Sequence, residues 1–317
     1  MSAFEDKRFL IVTGKGGVGK TTVAAAEAVA LAAKGKRVLV AMCNAKERLS
    51  VMLGSDLIGE DVSEVTKNIW AVNMNPERAL EEYGLMTLKS RALYNLLFDN
   101  KYARSFFRAV PGMSEWSMLG KAWWHTTETR ADGSPRFDVV ILDAPATGHG
   151  LDMLRVPKVI VDVVPPGLLR RDAERAMELF RDPEFCAVVL VTLPEEMPTT
   201  ETIELAAALT QELSIPIGKV VVNGVLPPLF SREERAELEA FTMPASTSGA
   251  SLAQQGKAPG AGDGAILAGR DRAIRERVQA ESLARLSREL PVKPAFLPLL
   301  FDNASTPHAI HELAKRV

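Results

Sequence analysis

The chain contains very little cysteine. Only Cys43 and Cys186 occur among its 317 residues, and they are far apart in the sequence. Two such thiols provide neither a disulfide framework nor a Cys-x-x-Cys metal knuckle within one chain. Sparse cysteine is typical of a reducing compartment, and we therefore expect a cytoplasmic location.

An excess of basic charge is also missing. The 38 Lys and Arg residues are balanced by 40 Asp and Glu residues, whereas nucleic-acid binders carry a basic surplus. We therefore expect no nucleic-acid partner. No stretch reaches the roughly eighteen apolar residues that a membrane span needs, because Lys and Glu interrupt each candidate. The amino-terminal MSAFEDKRFLIV has no basic segment followed by an apolar one. We expect no signal peptide and no intrinsic membrane segment.

Short apolar runs recur along the chain, and each is followed by a helical pattern. This alternation predicts an α/β fold with a doubly wound, mainly parallel sheet that is covered on both faces. The runs are RFLIVT (8–13), RVLVAM (37–42), FDVVILD (137–143), CAVVLVT (186–192) and KVVVN (219–223).

Two insertions interrupt the alternation. Residues 76–130 are predicted to form an inserted helical subdomain, because their helical pattern is too long for a simple crossover. Their Met, Phe, Tyr and Trp side chains would form the subdomain core or, alternatively, line a partner groove. Residues 243–265 are rich in Gly, Ala, Ser and Pro, and they predict a flexible linker loop. The charged segment after it predicts a surface helix of the main domain.

One motif stands out between the first strand and the first helix. The segment GKGGVGKTT satisfies the G-x-x-x-x-G-K-[ST] pattern in the strand–loop–helix context that the pattern requires. Its glycines let backbone N–H groups point at phosphate oxygens, and the helix N-terminus favours negative charge. We predict a nucleotide-phosphate cradle made by Gly14, Lys15, Gly16, Gly17, Val18, Gly19, Lys20, Thr21 and Thr22, and we interpret residues 1–317 as one P-loop domain.

The side chains of this loop suggest the bound nucleotide. Lys20 should neutralise the β- and γ-phosphates, and the Thr21 hydroxyl is placed to ligate Mg²⁺. Thr22 either contacts the α-phosphate or caps the helix. We therefore expect ATP or ADP, together with Mg²⁺, as the cofactors.

Lys15 adds a second lysine at the entrance of the loop, and this resembles the deviant Walker A motif of dimeric, nucleotide-switched ATPases. The chain is similar to the ArsA and guided-entry (tail-anchored protein targeting) family, within the larger group that includes MinD and ParA. The resemblance implies that Lys15 reaches across a dimer interface to the partner's phosphates. The alternative is a solvated surface lysine.

A second segment, LDAPATGHGLDMLRVP (142–157), resembles a run that separates this family from MinD and ParA. The resemblance implies that Asp143, at the end of an apolar strand, holds Mg²⁺ through water. It also implies that Gly148 and His149 form a switch that senses the γ-phosphate. The alternatives are a structural role for Asp143 and a backbone cap for His149.

The resemblance extends to the base-binding side and covers most of the chain. PGMSEW (111–116) resembles a family turn, and Asn223 matches the asparagine whose side-chain amide reads adenine. FLPLLFD (296–302), which contains Pro298, resembles the segment that closes over the base. Turn chemistry is an equally good explanation of Pro298.

The strand after the P-loop helix departs from the family. Relatives have an aspartate here that orients or activates the attacking water, whereas this chain reads CNAKERLS and places Asn44 at that position. An amide positions water but does not accept its proton at neutral pH. Because of this amide we expect weak hydrolysis by the isolated chain. The motifs and the resemblance together assign Lys15, Lys20, Asn44 and Asp143 to catalysis. The chain resembles the catalytically degenerate member of bacterial ArsA-like pairs.

The cysteines depart as well, since the clustered thiols that bind zinc or arsenite in relatives have no counterpart here. The expected function is a nucleotide-gated ATPase subunit that acts as a homodimer or as a heterodimer with an unequal paralogue. It would work on a protein client in targeting or chaperone-like transport. The alternative is a hydrolytically weak regulatory or scaffold protein. A phosphoryl-transfer kinase is less favoured, because no second basic phosphate site stands out.

Overall fold

In the computed structural model, the described residues are Phe4, 6–88, 112–145, 149–240, 261–301 and 305–317. Their strands form an eight-stranded sheet with the order β3-β4-β2-β5-β1-β6-β7-β8. All neighbouring strands are parallel except β3 and β4. The strands are β1 Phe9–Thr13, β2 Val38–Cys43, β3 Ser63–Thr66, β4 Ile69–Met74, β5 Val139–Asp143, β6 Cys186–Thr192, β7 Ile217–Val225 and β8 Ala295–Pro298. The predicted α/β fold is confirmed.

Helices connect most of these strands. Several have the Ala, Leu, Glu and Arg content that favours a helix. The helices are α1 Lys20–Ala33, α2 Leu49–Leu53, α3 Pro76–Leu88, α4 Met113–His125, α5 His149–Val163, α6 Leu168–Arg181, α7 Glu196–Ala207, α8 Arg232–Ala240, α9 Ala261–Glu289 and α10 Pro307–Ala314, with a π-helical turn at Ala208–Leu213 after α7.

The sheet is buried on both faces, as its continuous apolar strands require. Successive residues of β1 alternate between the two sides: Phe9 and Ile11 belong to one hydrophobic cluster, and Leu10 and Val12 to the other. The first cluster includes residues of α4, α5, α6 and α7, and the second includes residues of α1, α2 and α10. All side chains of the central strands β1, β2, β5 and β6 are therefore in the core.

The two predicted insertions are only partly described. In 76–130, α3 and α4 are helical, and residues 89–111 lie outside the described residues. Trp116 of α4 is fully buried in the same cluster as the sheet, so this aromatic side chain is core. Most of the predicted linker 243–265 also lies outside the described residues, but α9 already begins at Ala261. The predicted surface helix is therefore the later part of a longer one.

The topology gathers several chain segments at one edge of the sheet. Because β1, β2, β5 and β7 are parallel, the loops that follow them all leave from their carboxyl ends. In open α/β sheets this edge is where ligands bind.

Candidate functional site

The loop between β1 and α1 is built so tightly that two of its positions require glycine. Gly14 has φ 151°, and a Cβ there would lie 2.1 Å from the carbonyl oxygen of Val191 on β6. Gly19 has φ 92°, and its Cβ would lie 2.3 Å from Nδ2 of Asn223. Only glycine adopts this left-handed backbone conformation without strain and also lacks the Cβ atom that would clash. The chain is thus held in a turn at the N-terminus of α1, where anions bind.

Lys20 closes this turn. Its Nζ donates to the carbonyl oxygens of Gly14 and Lys15, at 3.2 and 3.1 Å. The side chain is buried, and burial lowers the pKa of its ammonium while Asp143 opposes that effect. A buried cation whose hydrogen-bond partners, among the described residues, are two carbonyl oxygens fits the phosphate charge that the motif predicts at this place.

Asp143 lies beside the first turn of α1. The Thr21 hydroxyl donates to its Oδ2 at 2.6 Å, and the carboxyl is buried at the end of β5. Burial raises the pKa of Asp143 to about 6, and the Thr21 hydrogen bond and the Lys20 charge partly offset this rise. A hydroxyl and a carboxylate oxygen at this spacing are ligands that suit Mg²⁺. The two predicted metal-site residues, Thr21 and Asp143, are therefore together and fit the ion.

The remaining loop residues have different surroundings. Val18 is buried in the hydrophobic cluster that contains α1, and Gly16 and Thr22 are partly buried. Gly17 has φ 84° and is exposed. Lys15 does not point into the turn with Lys20, because its Nζ donates to Glu201 of α7 at 2.5 Å.

Asn223 and Pro298 lie on neighbouring strands at the same edge. Nδ2 of Asn223 donates to the carbonyl oxygen of Val18 at 3.0 Å, so this asparagine fastens the loop. Val225 is paired with Pro298, and the N–H of Leu299 donates to the Val225 carbonyl at 2.9 Å. The two predicted base-site residues are thus brought together.

Two buried polar residues of α9 were missed by the sequence reasoning. Gln279 holds the backbone of Leu226 from both sides, accepting from its N–H at 2.8 Å and donating to its carbonyl at 2.9 Å. Glu276 accepts from the N–H of Leu229 at 2.9 Å. They fix the loop that follows Asn223. No local pattern in the sequence marks these two residues, because the segment that each one binds is brought to α9 only by the tertiary structure.

Asn44 directly follows β2, at the same edge as Asp143. It adopts a left-handed conformation with φ 45°, which asparagine tolerates better than most residues. Its side chain is exposed and makes no hydrogen bond with any residue that the structure describes. The acid of the following turn, Glu47, accepts hydrogen bonds from the backbone N–H and the hydroxyl of Ser50 at the start of α2.

Some of the predicted residues lie outside the part of the chain that the structure describes. Gly148 lies outside the described residues, and so does the side chain of His149, whose backbone begins α5. Asp302 lies outside them as well.

Cys43 and Cys186 are buried free thiols, and burial raises the pKa of each. Over the described ranges, no three His, Cys, Asp or Glu side chains come together as metal ligands. Among the same residues, no helix has the length and apolar character to cross a bilayer.

The sequence also matches known proteins. The family model described as anion-transporting ATPase, ArsA type, matches residues 7–165 and 169–240. The chain is 30% identical over 241 residues to ATPase BagA of Mycobacterium tuberculosis, and the aligned region covers 73% of this chain and 68% of that protein. It is 26% identical over 274 residues to ATPase GET3B of Arabidopsis thaliana, covering 70% and 65%. It is 29% identical over 252 residues to an arsenical pump-driving ATPase of Escherichia coli, covering 73% and only 41%.

Proposed function

Because the chain belongs to the ArsA family of anion-transporting ATPases, we propose that it is a nucleotide-gated ATPase that binds Mg-ATP in the loop before α1. The observation that carries the proposal is the contact between Thr21 and Asp143 beside the buried ammonium of Lys20. One cation, one hydroxyl and one carboxylate around a glycine turn are the groups that a Mg-nucleotide needs.

Each of these residues has a defined task in the proposed reaction. The ammonium of Lys20 exchanges its carbonyl partners for phosphate oxygens and neutralises charge that builds up during phosphoryl transfer. Thr21, and Asp143 through water, would hold Mg²⁺, and the bound ion would supply further neutralisation of the phosphates. Asn223 keeps the loop closed through Val18. Its Oδ1, which accepts no hydrogen bond from the described residues, would accept one from an adenine amino group.

The finer part of the proposal concerns assembly. We propose that the chain acts as a homodimer or with an unequal ArsA-like paralogue, and that Lys15 then serves the partner's phosphates. Two isolated, buried thiols disfavour arsenite as cargo, since no thiol cluster is formed. Protein targeting or chaperone-like transport in the cytoplasm fits better, with a protein as the client.

The second candidate is a hydrolytically weak scaffold that uses bound nucleotide to fix a partner surface. Asn44 favours it, because an amide at this position positions water without taking its proton. In that case nucleotide binding persists while turnover is very slow.

Steady-state phosphate release by the purified chain, measured over a wide range of protein concentrations, tests the proposal. A rate per subunit that rises with protein concentration and vanishes in Lys20→Ala supports a dimeric ATPase. Binding of Mg-ATP with no release above the Lys20→Ala background at any concentration supports the scaffold. Absence of nucleotide binding rejects both.

A further inference from the structure

The two lysines of the phosphate loop are held in different ways. Lys20 is bound inside the turn by carbonyl oxygens. Lys15 instead forms an ion pair with Glu201 of α7, with Nζ and Oε1 2.5 Å apart. The two residues are 186 positions apart in the sequence, so the fold alone brings them together. Their side chains are 24% and 43% exposed, which leaves the pair accessible to competing ions.

The pair lies on the wall of a cleft of about 410 Å³ between the loop, α5 and α7. Among the described residues, two other charged side chains line this cleft. Arg155 is already bound by Glu212 through two contacts, at 2.7 and 3.0 Å, and it also contacts Asp152 at 3.4 Å. Glu204, one turn further along α7, is exposed and has no ion-pair partner among the described residues. Because Arg155 is paired with Glu212, it does not compete with Lys15 for the carboxylate of Glu201.

The strength of this pair suits a contact that is made and broken. Partly exposed ion pairs change an equilibrium by roughly two- to five-fold. A phosphate chain with several negative charges is a stronger partner for an ammonium than one carboxylate. A nucleotide phosphate within reach of Lys15 would therefore compete successfully with Glu201 for its ammonium.

We propose that Glu201 is a positioning residue that retains Lys15 on its own subunit until the phosphates of a nucleotide in a second subunit replace it. This rests on the proposed nucleotide-gated dimer. The phosphates in a subunit's own loop are bound by Lys20, so Lys15 remains available for the phosphates of the partner's nucleotide. Glu201 then sets how much nucleotide and protein are needed for assembly.

The first test measures the accessibility of Lys15 without nucleotide, using an amine-acylating reagent and peptide mass spectrometry, with exposed Lys67 as the internal reference. Glu201→Gln should raise the acylation rate of Lys15 roughly two- to five-fold. Glu204→Gln, the same charge change in the same cleft, should leave it unchanged. High salt should raise it in the wild type but not in Glu201→Gln. Equal rates in wild type and Glu201→Gln would overturn the proposal, whether or not the chain binds nucleotide.

The second test measures the affinity for a non-hydrolysable ATP analogue with Mg²⁺ at several protein concentrations. The proposal predicts that Glu201→Gln binds like the wild type when dilute, and tighter than the wild type as the concentration rises. A gain that is the same at all concentrations would place Lys15 on its own subunit's phosphates and contradict retention for a partner. No gain at any concentration would also contradict it. Absence of binding in the wild type would reject the proposed function instead, a result that the acylation test distinguishes.

Discussion

The Thr21 hydroxyl donates to Oδ2 of Asp143 at 2.6 Å, and this contact joins the first turn of α1 to the end of β5. The two residues are 122 positions apart in the sequence. The contact keeps a buried carboxylate next to a helix N-terminus and next to Lys20. This cluster of polar groups is suited to binding a ligand, and it carries a cost in the ligand-free protein, because a buried ionised carboxylate is poorly solvated.

That cost predicts an unusual pH dependence. The pKa of Asp143 is raised from 3.8 to about 6 in the folded protein. Between these values the folded state holds the proton more tightly than the unfolded state does. The free energy of unfolding therefore falls as pH rises through this window, and stays lower above it.

Asp143→Asn should remove this cost. In buffer with EDTA and no nucleotide, calorimetry should show a melting temperature above that of the wild type at pH 8, by a few degrees. The difference should shrink as the pH falls towards 4, because the carboxyl is then protonated in the folded state and no longer bears the cost of a buried charge. The same variant should lose the gain in nucleotide affinity that Mg²⁺ gives. A variant that melts below the wild type at pH 8 would show that the ionised carboxylate stabilises the fold.

Gly19 and Gly17 offer a matched pair of substitutions. Both have a left-handed backbone, with φ 92° and 84°, so alanine adds similar strain of about 1 kcal/mol at each. At Gly19 the new Cβ would meet Nδ2 of Asn223, whereas no atom of the described residues lies within 4 Å of a Cβ at Gly17. Urea denaturation should show that Gly19→Ala costs about 1 to 3 kcal/mol more than Gly17→Ala.

The double variant Gly19→Ala/Asn223→Ala serves as the control for this prediction. Its loss should be smaller than the sum of the two single losses, because the clash disappears with the asparagine side chain. Additive losses would show that Gly19 and Asn223 do not interact.

Asn44 gives a prediction about turnover. Loss of a water-orienting carboxylate costs about two to four orders of magnitude in rate. Asn44→Asp should therefore raise phosphate release by at least several-fold at a protein concentration that allows assembly. The left-handed backbone at this position is tolerated by aspartate as well as by asparagine. If the wild type already hydrolyses ATP rapidly and Asn44→Asp slows it, a different residue serves the water.

Much of the fold was predictable because the central strands are buried on both sides. Continuous apolar runs identified β1, β2, β5, β6 and β7. The strands at or next to the edges of the sheet were harder to predict from the sequence. In β4 the sequence IWAVNM places Asn73 between apolar residues, where its amide binds the backbone of Ala45. β8 contains Pro298, and proline is tolerated because this strand lies at the edge of the sheet.

The residues of the candidate site were likewise predictable only in part. The loop residues from Gly14 to Thr22 follow one another in sequence, so their spacing alone predicted a phosphate cradle. Glu201 and Gln279 were not predictable, because each acts on a segment far away in the chain, and neither belongs to a local pattern. The clasp of Gln279 on Leu226 depends on how α9 packs against the loop after β7. Contacts of that kind follow from tertiary structure.

Titration calorimetry with Mg-ADP tests most directly whether the loop before α1 binds a Mg-nucleotide through Lys20. The wild type and Lys67→Ala, which removes an exposed lysine from the turn between β3 and β4, should bind equally. Lys20→Ala should lose about 100-fold or more in affinity, because a buried charge-assisted contact to phosphate is removed. Its circular dichroism spectrum should remain that of the folded protein. A folded Lys20→Ala that binds Mg-ADP as tightly as the wild type would contradict the account.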